Sequence, residues 1–240
     1  MTKYGDLLFG NSGLTSARAV AARGAVHVAE QMTRYDGSNA TLPDTLRGWQ
    51  MGTDEGHKSR RAMWIFGYGS LMFDGWEAAC GCTGRRWADL PGYRRSFNKK
   101  SVESRGTPEA PGLTLNLVRA AGHVCRGIAF AFEDDDSAPE IVLGLQKREA
   151  CKPRALAVQL EDGRTVTAQV YIYEGRNLIA DSMPLADKAA MIAKAEGIRG
   201  PNFDYVRDTY EGLKGVGVDD PAVTTLWEAV KKYPDQPKLL

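Results

Sequence analysis

The chain has 240 residues, with 31 Lys and Arg against 30 Asp and Glu, for a formal net charge of +1. That length holds one sizeable domain with an extension, or two small domains. The balanced charge leaves no basic footprint for nucleic acid, and no apolar run approaches the ~20 residues of a membrane span. No nucleic acid and no membrane is therefore expected as a partner. Four cysteines and three histidines are scattered. Cys80 and Cys82 form a C-x-C pair, but no second pair or nearby His completes a zinc set. Unpaired thiols in a reducing cytoplasm fit this pattern.

Residues 1–60 read as an N-terminal helical extension and linker, disordered in part. Leu14 to Met32 is rich in alanine, Asp36-Gly37-Ser38-Asn39 breaks it, and Gly52 to Arg61 is polar. Its arginines on an acid-poor helix have something of an organelle presequence, but a dispensable extension explains them better. The first residues lack the continuous apolar core of a secretory signal.

From Met63 the chain turns strand-rich. Trp64-Ile65-Phe66 run into Gly67-Tyr68-Gly69-Ser70-Leu71, a buried strand halted by a tight loop. Glycines on both sides of Tyr68 allow positive φ, and successive N–H groups in such a loop can converge on an anion. Trp76 to Cys80 reads as a helical turn. Pro91-Gly92 reads as a turn before a strand through Phe97, and Glu103 to Gly112 as a shaped loop. Leu113, Leu115 and Leu117 alternate in one strand, and Val124 to Phe132 form another.

Ser137-Ala138-Pro139-Glu140 opens a helix, with Ser137 as N-cap and Glu140 closing a capping box. On it Val142, Leu145 and Glu149 share a face. A carboxylate continuing an apolar stripe is a candidate proton carrier, since burial favours its neutral form. A Glu at a helix end that reaches solvent, or pairs with Arg148 or Lys152, explains it equally. Asp162-Gly163 between two alternating runs predicts a hairpin. Three helices follow: Leu185 to a stop at Gly197, one lined by Phe203, Val206, Tyr210 and Leu213, and one opened by Asp220-Pro221. Strands followed by helices point to an α+β domain.

Four motifs in this order resemble one family, the ChaC-type γ-glutamylcyclotransferases. They are Phe66-Gly67-Tyr68-Gly69-Ser70-Leu71; Arg94-Arg95-Ser96-Phe97 with Arg105-Gly106-Thr107-Pro108 and Pro111-Gly112; Leu145-Gln146-Lys147-Arg148-Glu149; and Gly200-Pro201-Asn202-Phe203-Asp204-Tyr205. Each is weak alone, and their order and spacing make the set specific. The resemblance covers Trp64 to Tyr233, and implies a catalytic domain over 61–235 with a tail at 236–240. It implies a mixed β-barrel with packed helices, no metal and no cofactor. The implied reaction cleaves a γ-glutamyl peptide, typically glutathione, to 5-oxoproline and the remaining dipeptide.

In that reaction the substrate's own α-amine attacks its γ-carbonyl, so no enzyme nucleophile is needed. Orientation, a base and an acid suffice. Glu149 matches the family's catalytic Glu. Tyr68, Gly69, Ser70 and Leu71 match the loop that would hold the α-carboxylate. Glu140, Arg105 and Tyr205 are further pocket candidates. Against them stand a capping box, a solvated loop arginine and aromatic core packing respectively. Two departures from the family pattern fall where the second half of the substrate should lie. Ala150-Cys151-Lys152-Pro153 replaces a glycine-rich run ending in tyrosine, and Asn98-Lys99-Lys100-Ser101 replaces Trp-Gln-Gly-Ser. The group attached to the γ-glutamyl moiety is therefore left open. A non-catalytic binding module on the same fold, or a γ-glutamyl amide hydrolase or acyltransferase, are the alternatives.

Overall fold

The computed structural model describes residues 62–233. The expected helix within residues 1–60 and the tail at 236–240 lie outside the described residues.

Five strands close a barrel in the order β1-β3-β2-β4-β5. They are β1 Ala62–Gly67, β2 Gly84–Ser101, β3 Gly112–Glu133, β4 Pro153–Leu160 and β5 Thr165–Tyr171. A 3-10 turn, Ser70–Met72, and a one-turn helix, α1 Trp76–Ala79, lie between β1 and β2. Helix α2, Ala138–Glu149, connects β3 to β4. Neighbouring strands are antiparallel except β1 and β5, which run parallel at Trp64↔Ala168 and Ile65↔Gln169. The barrel is thus a three-stranded sheet and a hairpin joined by two narrow seams. The second seam, β2 on β4, pairs only Ala88↔Leu160 and Asp89↔Gln159.

The β4–β5 hairpin forms as its sequence predicts, with Gly163 at φ 86° in the turn and Leu156, Val158 and Leu160 on the buried side. The β2–β3 pair is longer than expected. Pro91-Gly92 does not start a strand but lies inside one, at a register shift between Pro91 and Tyr93. A bulge lets the strand bend and continue, and a residue without an N–H is tolerated there. The two runs Leu113–Leu117 and Val124–Phe132 are likewise one strand, β3. Ile128 to Phe132 are all buried, because one side of β3 faces the barrel interior and the other the covering elements. At Gly127 a side chain would run into the Gly67 carbonyl, so β3 can pass the end of β1 this closely only as glycine.

Helices α3 Leu185–Lys194, α4 Asn202–Gly215 and α5 Pro221–Lys231 pack on one another. Phe203 and Tyr210 of α4 meet Trp227 of α5 with ring centres 5.3 and 5.8 Å apart. Helix α3 stops at Ala195, where the backbone turns extended, and not at Gly197. Gly197 instead pairs with Gly200 in the short hairpin β6 Glu196–Gly197 and β7 Gly200–Pro201, with its α-carbon against the Glu103 carbonyl. No described helix is long and apolar enough to cross a membrane.

One side chain links these parts. Arg95 of β2 is 2% exposed. Its Nε donates to the Tyr68 carbonyl at 2.7 Å, and its Nη2 to the Arg126 carbonyl at 2.6 Å. Its Nη1 meets the Asp220 carboxylate at 3.1 Å. Asp220 caps α5 with its other oxygen, accepting from the Ala222 and Val223 N–H groups.

Removing one partner of a buried ion pair costs about 3–5 kcal/mol. Arg95→Met is expected to lower unfolding stability by that amount, read as a lower urea midpoint at unchanged slope. Asp220→Asn separates the two roles of the aspartate. Asn caps as well as Asp, so a large loss assigns the effect to the Arg95 pair, and a near-zero change leaves only the cap.

Candidate active site

The loop after β1 is held from behind. Tyr68 is buried, its hydroxyl donates to the Tyr171 carbonyl at 2.7 Å, and its own carbonyl is taken by Arg95. Gly69, Ser70 and Leu71 then open the 3-10 turn. Their N–H groups donate to no acceptor among the described residues, as expected of a helical first turn. Neither Gly67 nor Gly69 takes a positive φ, contrary to the sequence expectation. They are needed for space: a side chain on Gly67 would press on Phe130 and Leu71, and one on Gly69 on Leu115.

Glu149 is the last residue of α2, with its side chain 25% exposed. The buried stripe of α2 is Ala138, Ile141 and Leu145, and Val142 is only half-buried. Ala150 follows in the left-handed conformation, φ 55° and ψ 30°, and ends the helix sharply.

Arg148 joins Glu149 to the glycine loop. Its Nε lies 3.3 Å from Glu149 Oε1. Its Nη2 donates to Ser70 Oγ at 3.0 Å and pairs with the Asp74 carboxylate. Its Nη1 is buried with no protein partner among the described residues. Burial works against the Arg148 charge, but Asp74 and Glu149 outweigh it and raise its pKa. The sequence reading treated Arg148 only as a possible ion-pair partner. The Arg-Glu dipeptide at a helix end, with Asp74 just past the loop, was the signal available.

Three phenols surround the Glu149 carboxylate. Tyr68, Tyr171 and Tyr205 are held protonated, first by burial and then by the Glu149 charge. The Tyr171 hydroxyl donates to the Val142 carbonyl at 2.9 Å, pinning β5 to α2. The Tyr205 oxygen accepts from the Leu115 N–H at 3.1 Å. Burial, then Glu149, pushes the Cys151 thiol up to about 11, so it is no thiolate at neutral pH.

The remaining candidates fall elsewhere. Arg105 is buried, its guanidinium donates to the Arg199 and Pro201 carbonyls, and it lies over the Tyr205 ring at 5.8 Å. It ties the Glu103–Gly112 loop to β6 and β7. Ser137 makes no side-chain cap, since its Oγ and N–H both turn to Asp135. The capping box with Glu140 is therefore not formed. Nine residues separate Glu140 from Glu149, which on a helix is about 13 Å and half a turn out of phase. The two carboxylates leave α2 on opposite faces, and no hydrogen bond or ion pair joins Glu140 to the site residues among the described residues.

Lys99 of β2 was not anticipated as a site residue. Its Nζ donates to the Glu149 carbonyl at 2.8 Å and sits 5.0 Å over the Tyr173 ring. The Asn98–Asn116 amide pair holds the Tyr173 backbone beside it, through bonds of 3.0 Å to its carbonyl and its N–H.

The family model described as ChaC-like protein matches residues 63–233. A γ-glutamylcyclotransferase 2-3 of Arabidopsis thaliana is 32% identical over 180 residues, covering 71% of this chain and 89% of its own length. A glutathione-specific γ-glutamylcyclotransferase of Escherichia coli is 35% identical over 175 residues, covering 71% and 73%. The crystal structure of a yeast γ-glutamylcyclotransferase specific to glutathione superposes with a TM-score of 0.62 at 22% identity, covering 72% of this chain and 96% of that one. That superposition carries the α+β fold, a closed mixed barrel with packed helices. Since the family match spans nearly all of the described barrel and its helices, the chain belongs to the ChaC-like γ-glutamylcyclotransferase family.

Proposed function

We propose that the protein cleaves glutathione, or a closely similar γ-glutamyl peptide, to 5-oxoproline and the remaining dipeptide. The observation that carries this is Arg148, whose one guanidinium touches Glu149, Ser70 and Asp74. It holds a proton-carrying group at a fixed place beside a loop with three unspent N–H donors. The two glutathione-specific relatives support the choice of substrate. The four cysteines are all free thiols, which fits a cytoplasmic enzyme.

In this reading the N–H groups of Gly69, Ser70 and Leu71 hold the substrate's α-carboxylate, with the positive Arg148 behind them. The substrate's α-ammonium then lies beside Glu149. Glu149 takes one proton, and the freed amine attacks the γ-carbonyl. The new C–N bond closes a five-membered ring, Glu149 returns its proton to the departing nitrogen as the old amide C–N bond breaks, and the ring nitrogen gives its second proton to the released amine, which leaves as an ammonium. Holding the chain bent supplies the orientation term, worth several kcal/mol. The protonated Tyr68, Tyr171 and Tyr205 wall the site without adding a second base.

The direct test is a panel of γ-glutamyl peptides and amines incubated with purified protein and EDTA, with products read by mass spectrometry. Glutathione is expected to give 5-oxoproline. Free glutamate in its place would mean a hydrolase, and no product from any compound would mean a binding module.

Glu149→Gln keeps size and hydrogen bonding but carries no proton. It is expected to fold and to bind substrate, while kcat falls by at least ~100-fold. Near wild-type kcat would place the proton carrier elsewhere.

Arg148→Lys keeps the charge but cannot span Ser70, Asp74 and Glu149 together. Losing one charge-assisted contact predicts a fall in kcat/KM of roughly 10- to 100-fold. Unchanged kinetics would remove Arg148 from the account of the site.

A further inference from the structure

Two cations contact Glu149, one at its carboxylate and one at its main-chain carbonyl. Arg148 lies toward the glycine loop and is committed to Asp74, Ser70 and Glu149. Lys99 lies at the C-terminal end of α2, against the Glu149 main-chain carbonyl. Lys99 is half-buried, and no carboxylate lies within ion-pair distance of it among the described residues. Its protein contacts are one carbonyl and one aromatic face. An ammonium has three N–H donors, so at least one remains for a further acceptor.

The surroundings fix where that acceptor would come from. The segment after β5 runs alongside Lys99, with Lys100 N–H bonded to the Asn177 carbonyl and Ile179 N–H to the Asn98 carbonyl. It walls the end of β2 and holds the Tyr173 ring under the ammonium. Cys151 sits within the electrostatic reach of both Lys99 and Glu149. Lys99 therefore sits on the backbone of the same residue whose carboxylate Arg148 meets. The Arg105 guanidinium is on the Arg199 and Pro201 carbonyls.

We infer that Lys99 is the specificity residue for the group attached to the γ-glutamyl moiety, and that it selects leaving groups bearing a free carboxylate. This rests on the cyclotransferase reading of the same site. A substrate with two carboxylates then spans Glu149: the α-carboxylate sits on the glycine loop and the distal one on Lys99. Neutral γ-glutamyl amines lack the second anchor.

The test compares glutathione with the same tripeptide carrying a carboxamide in place of its terminal carboxylate. Steady-state kinetics are measured for the wild type, Lys99→Met and Lys99→Arg. The wild type is expected to prefer the free acid by roughly 10- to 100-fold in kcat/KM, chiefly through KM. Lys99→Met should collapse that preference to within a few-fold, and Lys99→Arg should keep most of it. If Lys99 only caps α2, Lys99→Met will lower the melting temperature and slow both substrates equally, which overturns the inference. Equal kcat/KM on acid and amide in the wild type overturns it too, whether or not any variant folds. Turnover of both compounds without a preference removes the inference alone. Absence of 5-oxoproline from both removes the cyclotransferase reading and the inference with it.

Discussion

A buried guanidinium is the point on which this structure turns. Arg95 reaches the glycine loop, strand β3 and the cap of α5 from one position inside the protein. Each contact neutralises part of a desolvation cost that would otherwise be several kcal/mol. The result is a fixed relation between three elements far apart in sequence. The Tyr68 carbonyl cannot rotate without breaking a bond to a buried charge, so the next three N–H groups are aimed by the barrel itself. Lysine could not make the same three contacts, since its ammonium is a single point and not a planar fork.

Charge is placed around Glu149 in a similar way. Three phenols stay protonated near it, first because they are buried and then because Glu149 repels a second negative charge. Cys151 is silenced for the same two reasons. The Glu149 carboxylate meets Arg148, which also reaches the loop at Ser70, and Lys99 meets the Glu149 main-chain carbonyl. Such an arrangement suits a reaction whose nucleophile belongs to the substrate, because a competing enzyme nucleophile would only divert it.

Local signals in the sequence were read correctly where one short segment decides the outcome. Asp162-Gly163 sets its own hairpin, and Asp220-Pro221 sets the start of α5. Glu149 at the end of a helix and the Tyr68–Leu71 loop after a strand are legible as local features, and Arg148 is what joins them in the fold. What depends on long-range packing was not legible. Nothing local says that β2 continues through Pro91-Gly92, since the bulge is tolerated only because β3 runs alongside. The glycines at 67 and 69 were assigned to backbone freedom, whereas Phe130 and Leu115 are what exclude a side chain there. Gly197 has the local look of a helix stop, and its role is close approach to the Glu103 carbonyl. Lys99 could not be placed, because its neighbours Glu149 and Tyr173 come from other elements. The opposite phase of Glu140 was readable, as nine residues is two and a half helical turns.

The two narrow seams of the barrel set the order in which the site can come into being. The β2–β3 pair is extensive and local, and β4–β5 closes through a short turn, so both can form early. The parallel seam joins Trp64 to Ala168, roughly a hundred residues apart, and repays its loop entropy with few backbone bonds. Yet the Tyr68–Tyr171 and Tyr171–Val142 hydrogen bonds that bring the loop, β5 and α2 together lie next to that seam. Half-assembled chains therefore hold the loop, β5 and α2 without the bonds that join them. The same seam is where a native molecule would open first, so the lifetime of the closed barrel is also the lifetime of its chemistry.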